Sequence, residues 1–154
     1  MVMRKVGLFV FALLIYLLAV HNTLGYAVDT VSFNRGGVVV SVEVSQSDVE
    51  LSTGLMFREG LSPGSGMLFV FDSEGEYGFW MKNVSFPLDI VWLDSNLRVV
   101  DITRGVQPCS SDPCRVYLPS ASVRYVLEVS AGFAADRGVG IGDFAFFEQR
   151  EVVE

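Results

Sequence analysis

The feature that most limits the possible folds of this chain is a series of short apolar runs separated by turn residues. The runs cover residues 67–71, 78–82, 88–93, 97–103, 116–118, 125–129 and 144–147. Turn-forming residues lie between them, as at 72–75, 86–87 and 94–96. Many short strands at this spacing are typical of an antiparallel sandwich or barrel. We therefore predict a mostly β, jelly-roll-like fold with one or two short helices.

The segment before these runs predicts a hairpin and a helix. Residues 30–33 and 38–44 partly alternate apolar and polar side chains and meet at a turn over 34–37, which is a hairpin signal. Ser47 and Glu50 then have the spacing of a capping box. We predict a helix over 48–58, ended by Gly60, and one further helical turn over 131–137.

The N-terminus has the layout of an export signal. Arg4 and Lys5 precede 15 uncharged residues, and small residues at Gly25 and Ala27 suit cleavage after Ala27. An uncleaved anchor is the alternative, although the run is shorter than the ~20 residues that span a bilayer. We expect 1–27 to be a signal peptide or membrane anchor, and 28–154 to be a single extracytoplasmic β domain, secreted, periplasmic or anchored facing outward.

The charge of the expected domain limits its partners. Removing residues 1–27 takes away two of the 11 basic residues and none of the 18 acidic ones, which leaves a formal charge of −9. Nucleic acids and anionic lipids are bound through clustered Lys and Arg. The sequence therefore predicts no nucleic-acid partner, and contact with a membrane only through the N-terminal segment. The partner is expected to be an unidentified ligand or envelope component.

Cys109 and Cys114 are the only cysteines, and each follows a proline in a turn-rich loop. In an exported protein two such cysteines favour a disulfide. Free thiols or a metal site are the alternatives, but zinc prefers four Cys or His ligands and the only histidine is His21. We expect a disulfide, and the sequence implies no cofactor.

Five stretches, in this order and spacing, resemble the domain-of-unknown-function 192 family of prokaryotes. They are Gly54-Leu55-Met56-Phe57-Arg58 with Leu61, Gly66-Met67-Leu68-Phe69-Val70-Phe71, Phe79-Trp80-Met81-Lys82-Asn83 with Pro87-Leu88-Asp89-Ile90, Leu127-Glu128 with Ala131-Gly132, and Gly142-Asp143. The resemblance covers about residues 30–147. It implies a compact, mostly β fold with a short helix bearing the Gly-Leu-Met motif, commonly behind a signal peptide. It implies no activity.

The polar residues of these motifs are the candidates for a ligand pocket. They are Arg58, Trp80, Lys82, Asn83, Asp89 and Glu128. A charge among apolar neighbours is costly unless it is paired. We therefore expect Arg58 or Lys82 to pair with Asp89 or Glu128, either as a structural network or as a pocket that holds a ligand.

No catalytic set is recognisable, because no histidine follows residue 27 to complete a nucleophilic triad. The leading hypothesis is a non-catalytic extracytoplasmic binding or interaction module. One alternative is an enzyme acting on envelope carbohydrate with Asp89 and Glu128 as its carboxylates. The other is a copper-handling protein that uses the thioethers of Met56, Met67 and Met81, although methionines also fill apolar cores.

Overall fold

The computed structural model describes residues 29–34 and 37–149. The strands are β1 Thr30–Phe33, β2 Val39–Ser45, β3 Ser65–Gly75, β4 Phe79–Trp80, β5 Leu88–Leu93, β6 Val99–Val106, β7 Val116–Tyr117, β8 Val123–Ser130 and β9 Ala145–Glu148. The helices are α1 Asp48–Thr53 and α2 Phe133–Asp136. The prediction of a mostly β chain with short helices is confirmed.

Seven strands form one sheet in the order β6-β5-β8-β3-β2-β1-β9, and β4 pairs with β7 in a separate two-stranded sheet. The large sheet curls into a half-barrel. Its two ends approach each other at a bridge between Arg98 and Phe144, where Val99 donates to the carbonyl of Asp143 at 2.8 Å. The curl thereby gives the sheet an inner and an outer face.

One strand pair differs from the antiparallel prediction. β2 and β3 are parallel, with Val42 opposite Gly66. The connection between them contains α1, and parallel neighbours need a long crossover of this kind. The capping box of Ser47 and Glu50 is present, but the helix ends at Thr53 and not before Gly60, because Gly54 adopts φ +47° and ψ −129°.

Apolar side chains pack on both faces of the sheet. The inner cluster joins residues from both ends of the sheet, such as Val31 and Val99, to Leu127 in its middle. The outer cluster contains Phe69, Trp92 and other side chains that α1, β4 and β7 cover. All six residues of β5 are buried because this strand has a packed layer on each side. The outer layer is the one that contains the candidate site.

Cys109 and Cys114 lie at disulfide distance, with 2.04 Å between the sulfur atoms and 5.6 Å between the Cα atoms. The loop that carries them rests on the outer layer, where the Cys109 amide donates to the carbonyl of Met81 at 3.4 Å.

The proposed export segment, residues 1–27, lies outside the described residues. Within the described ranges, no helix has the length and apolar character needed to cross a membrane.

Candidate ligand-binding cavity

A cavity of about 270 Å³ lies between the outer face of the sheet and the layer that covers it. Helix α1 and the residues after it form one wall, and β3, the segment leading into β4, and β8 form the others. The lining residues are Leu51, Ser52, Thr53, Gly54, Leu55, Met56, Phe69, Phe71, Tyr77, Gly78, Phe79, Trp80, Val84 and Glu128. The lining is mostly apolar and aromatic, and it contains a single carboxyl group.

Strand alternation places Glu128 in this cavity. Neighbouring residues of a strand point to opposite faces, and Leu127 and Val129 belong to the inner cluster. Glu128 therefore points outward, on the same face as Val126. Its neighbours across the strands are Met67 of β3 and Ile90 of β5. The carboxyl group is thus flanked by apolar side chains.

The Glu128 side chain is only 4% exposed. No described side chain or backbone amide donates a hydrogen bond to it, and no described cation pairs with it. Burial penalises its charged form and raises its pKa from 4.5 to about 8. The carboxyl group is therefore mostly protonated at neutral pH, and it presents both a donor and an acceptor to the cavity.

Aromatic rings form much of the cavity wall. Phe79 of β4 packs edge-to-face on Phe69 and Trp92, with ring centroids 4.8 and 5.4 Å apart. Phe71 stacks on Tyr77 at 3.6 Å, and the Tyr77 hydroxyl donates to the carbonyl of Ser73 at 2.7 Å. Trp80, which is 47% exposed, lies at the open side of the cavity.

Two glycines of the motifs allow the close packing around the cavity. A Cβ at Gly54 would lie 3.0 Å from the ring of Phe69, and a Cβ at Gly66 would lie 2.5 Å from the backbone oxygen of Glu128. A backbone oxygen has less freedom to move than a side-chain tip. Gly66 is thus required for β3 to approach β8 beside the buried carboxyl.

Hydrogen bonds join the segment after α1 to the segment after β4. The Phe57 amide donates to the carbonyl of Asn83 at 2.8 Å, and the Ser85 hydroxyl donates to the carbonyl of Arg58 at 3.0 Å. Phe57 and Asn83 have φ of 64° and 56°, left-handed values that are uncommon for residues other than glycine. These bonds hold the two walls of the cavity together.

The predicted charge pairing is wrong. Arg58 forms a two-point ion pair with Glu43 on the protein surface, with 2.7 Å between Nη2 and Oε2, and the pair lowers the pKa of Glu43. Lys82 contacts Asp112 at 3.4 Å, and its Nζ lies 5.7 Å from the centroid of the Trp80 ring. Long basic side chains can reach water from these positions, so neither has to neutralise a buried acid.

The six candidate residues divide among four places. Trp80 and Glu128 line the cavity. Lys82 and Asn83 line a separate depression of about 150 Å³ beside the cysteine loop. Arg58 is at the surface, and Asp89 is fully buried on the inner face. The structure therefore brings together only two of the six around the cavity.

The carboxylates of Asp89 and Glu128 do not form a catalytic pair. Asp89 alternates with the outward-facing Ile90, and its oxygens accept from the amides of Gly105 at 2.8 Å and Ala134 at 3.0 Å. Asp89 thus points to the opposite face of the sheet from Glu128. A glycosidase needs both carboxyl groups to flank one bond, so this part of the enzyme alternative is wrong.

The side chains of Met56, Met67 and Met81 contact other residues of the protein. Met67 and Met81 belong to the buried outer cluster. The sulfur of Met67 accepts from Ser45 Oγ, and that of Met56 from Asn83 Nδ2, both at 3.8 Å. These contacts favour packing over a copper site. Among the described residues, the close cluster of metal-ligand types is Cys109, Asp112 and Cys114, whose two sulfur atoms are bonded to each other.

Sequence reasoning missed most of the cavity wall, including Leu51, Phe69, Phe71, Tyr77 and Phe79. The alternation of side chains along β8 can be read from the sequence, and it would have placed Glu128 on the same face of the sheet as Val126. The position of α1 over the cavity could not be predicted, because no local sequence pattern indicates which face of a sheet a crossover helix packs against.

Comparison with known proteins identifies a family that this chain matches. Residues 31–145 match the family model described as Uncharacterized ACR, DUF192. A relative from Pyrococcus horikoshii, UPF0127 protein PH1112, is 31% identical over 107 residues, which are 66% of this chain and 83% of the relative. A UPF0127 protein from Thermococcus gammatolerans is 28% identical over 118 residues, which are 73% of this chain and 70% of the relative.

Two solved structures share the fold. A protein of unknown function from Novosphingobium aromaticivorans aligns with a TM-score of 0.70 and 30% identity, over 77% of this chain and 82% of that one. A protein from Sinorhizobium meliloti, described as a candidate transcription regulator, aligns with a TM-score of 0.71 and 30% identity, over 80% and 96%. The family match, the archaeal relatives and these structures lead to one conclusion: the chain belongs to the DUF192 family, also called UPF0127, whose function is unknown.

Proposed function

We propose that this protein is a non-catalytic binding module that holds a small, largely apolar molecule in the cavity beside α1. The observation that carries this proposal is Glu128, a residue only 4% exposed whose carboxyl oxygens have no hydrogen-bond partner among the described residues and remain accessible from the cavity. These oxygens can bond only to what occupies the cavity. A leucine at this position would suit the apolar surroundings better, so a ligand that bonds to the carboxyl group accounts for its presence.

The form of the cavity supports a ligand of about one ring. Small-molecule sites are concave, mostly apolar and furnished with few polar groups. The volume of about 270 Å³ is close to the lower end of the usual size range for such sites. The aromatic side chains would contact the body of the ligand, and Glu128 would contact its polar group.

The lining supports binding rather than turnover. Besides Glu128, the only titratable side chain in the lining is Tyr77, and its hydroxyl is already engaged with a backbone carbonyl. General acid–base catalysis normally needs a second group within reach of the reacting atoms. The cavity supplies one acid and an apolar wall, which suit recognition.

We also propose that the domain works outside the cytoplasm. The basic, apolar and small-residue order of the N-terminus supports export, and a cysteine pair at disulfide distance is typical of oxidising compartments. An alkaline phosphatase fused after residue 154 should be active in cells, and deletion of residues 1–27 should abolish that activity. Equal activity of the two fusions would contradict an external location.

Transcription regulation through DNA binding is the less favoured alternative; the description of the Sinorhizobium meliloti protein names that protein a candidate transcription regulator and gives no ligand. The formal charge of −9 for residues 28–154 opposes binding to phosphates. Salt-dependent retention of the folded domain on duplex DNA would reverse this preference.

The binding proposal is tested by a fragment screen read by NMR on residues 28–154. Fragments of one ring should shift the indole signal of Trp80 and the backbone signals of α1 in the wild-type domain. Thr53→Trp, which adds a large side chain at the cavity lining, should abolish these shifts, whereas Val39→Trp, at an exposed position on β2, should not. Hits that shift other surfaces and survive Thr53→Trp would contradict the proposal.

A further inference from the structure

We infer that the ligand of this cavity is an organic monocation, an amine with an apolar or aromatic body whose ammonium group meets Glu128. The inference rests on the proposed binding function and specifies the chemical class of the ligand. It draws on three observations: the single acid of the lining, the rings around it, and the charges outside it.

The lining can supply one negative charge, through ionisation of Glu128, and no positive charge. Glu128 is the sole ionisable carboxyl group in the lining, and no Lys or Arg lines the cavity. The rings of Phe69, Phe79 and Trp80 present π-electron density, which attracts a cation placed over a ring face. An anionic ligand would find no cation in the lining and would receive at most a hydrogen bond from protonated Glu128 in return for its lost hydration, and a neutral one would forgo the cation–π attraction.

The basic residues of the surrounding motifs are already paired. Arg58 is bound to Glu43, and Lys82 lies beside Asp112. Neither is positioned to neutralise Glu128, so the carboxyl group remains without a counter-ion among the described residues. An ammonium group would supply both the missing charge and the missing hydrogen-bond donors.

The acidic groups outside the cavity act in the same direction. Asp48 and Glu50 lie in the first turn of α1, outside the lining, and Glu50 is engaged with Ser47. The negative charge of the domain raises the local concentration of cations and lowers that of anions. Long-range and short-range electrostatics therefore select the same ligand charge.

Binding of a cation is coupled to loss of the Glu128 proton. The empty cavity holds the protonated acid at neutral pH, and the bound ammonium stabilises the carboxylate, so one proton moves from Glu128 Oε to solvent on binding. No covalent bond forms, and no oxidant or reductant is needed. With a pKa of about 8 for Glu128, release of the proton lowers affinity only about tenfold at pH 7. The ion pair and the contacts with the aromatic rings must offset both this loss and the desolvation of the ammonium group.

Across the cavity, the only other titratable lining group is Tyr77, which donates to a backbone carbonyl. On the neighbouring strands, Met67 and Ile90 stand opposite Glu128 and carry no charge. The pH dependence of binding between about 5 and 8 therefore reports on Glu128.

The test uses three probes that share one ring and chain and differ in charge: 2-phenylethylamine, 2-phenylethanol and phenylacetate. Calorimetry in two buffers of different ionisation enthalpy measures the protons released. At pH 7 the amine should bind tightest and release about 0.9 proton per site. Its affinity should rise about tenfold for each pH unit below about 8 and then level off. The alcohol should bind more weakly without proton release, and phenylacetate should not bind.

Glu128→Gln keeps the shape of the side chain and removes its ionisation, so the amine should lose its affinity advantage over the alcohol and all proton release. Glu128→Met is a second neutral variant with the same expected result, and the NMR spectrum of each checks its fold. Binding of the alcohol in the cavity with no preference for the amine would overturn the cation inference and leave the binding proposal standing. Failure of every fragment and probe to shift the cavity signals would overturn both.

Discussion

Replacing Glu128 with glutamine should make the domain more stable at pH 8 and leave its stability at pH 5 nearly unchanged. The folded protein raises the pKa of Glu128 from 4.5 to about 8, so between these values the unfolded chain loses a proton that the folded chain keeps. The folded state is therefore progressively penalised as pH rises. At ~1.4 kcal/mol for each pKa unit, the penalty approaches about 5 kcal/mol above pH 8. The side chain is almost fully buried, so solvent screening reduces this figure little.

The assay is urea unfolding of residues 28–154 and of Glu128→Gln at about pH 5, 6, 7 and 8. The difference in unfolding free energy between the two proteins should grow with pH in favour of the variant. Glu43, Glu50 and Glu74 have lowered pKa values. The stability that these three groups contribute is lost only as the pH falls below the ordinary pKa range of a carboxyl group. It therefore stays nearly constant between pH 5 and pH 8.

Parallel stability curves for the two proteins from pH 5 to 8 would refute the reasoning. They would mean that Glu128 is ionised, or exposed to water, in the folded domain. A variant that is less stable than the wild type at every pH would indicate instead that the carboxylate has a partner within the protein.

Three further changes test the packing of the fold. Gly66→Ala should lower the unfolding free energy by about 1–3 kcal/mol, because the added Cβ would lie 2.5 Å from a backbone oxygen of β8; Gly60→Ala, which meets open space, is the matched control in urea unfolding. Replacing both Cys109 and Cys114 with serine should cost about 2 kcal/mol, the value for a short closed loop, and equal stability of the oxidised wild type and the variant would contradict a disulfide. Ser47→Ala should cost about 1 kcal/mol through loss of the α1 cap, measured by thermal unfolding, and no change would mean that the cap adds nothing.

The sequence predicted the local elements well because their signals are local. The six residues of β5 were assigned with the right ends, and the capping box of Ser47 and Glu50 was found from spacing alone. The helix after it was predicted too long because Gly54 leaves the helical conformation, at a place where an added Cβ would lie 3.0 Å from the ring of Phe69. A sequence pattern does not contain that contact.

The candidate site was predicted only in part because it depends on which face each residue occupies. Asp89 and Glu128 look alike in the sequence, each an acid within an apolar strand. Asp89 is satisfied by two backbone amides in the inner layer, whereas Glu128 has no partner among the described residues and faces the cavity in the outer layer. The charge pairs went wrong for a related reason: Glu43 and Asp112, the acids that contact Arg58 and Lys82, lie 15 and 30 residues away along the chain.

The pairing of β1 with β9 has a consequence for the order in which the protein folds. Thr30 is opposite Glu148, so the first and last described strands are neighbours at one end of the sheet. A ribosome releases residue 148 only after residues 30–147 have been made. The half-barrel therefore cannot be completed before β9 has left the ribosome, and contacts between distant residues of this kind make folding slow. Until β9 is available β1 has an unpaired edge, and truncation before Ala145 should make that aggregation-prone edge permanent.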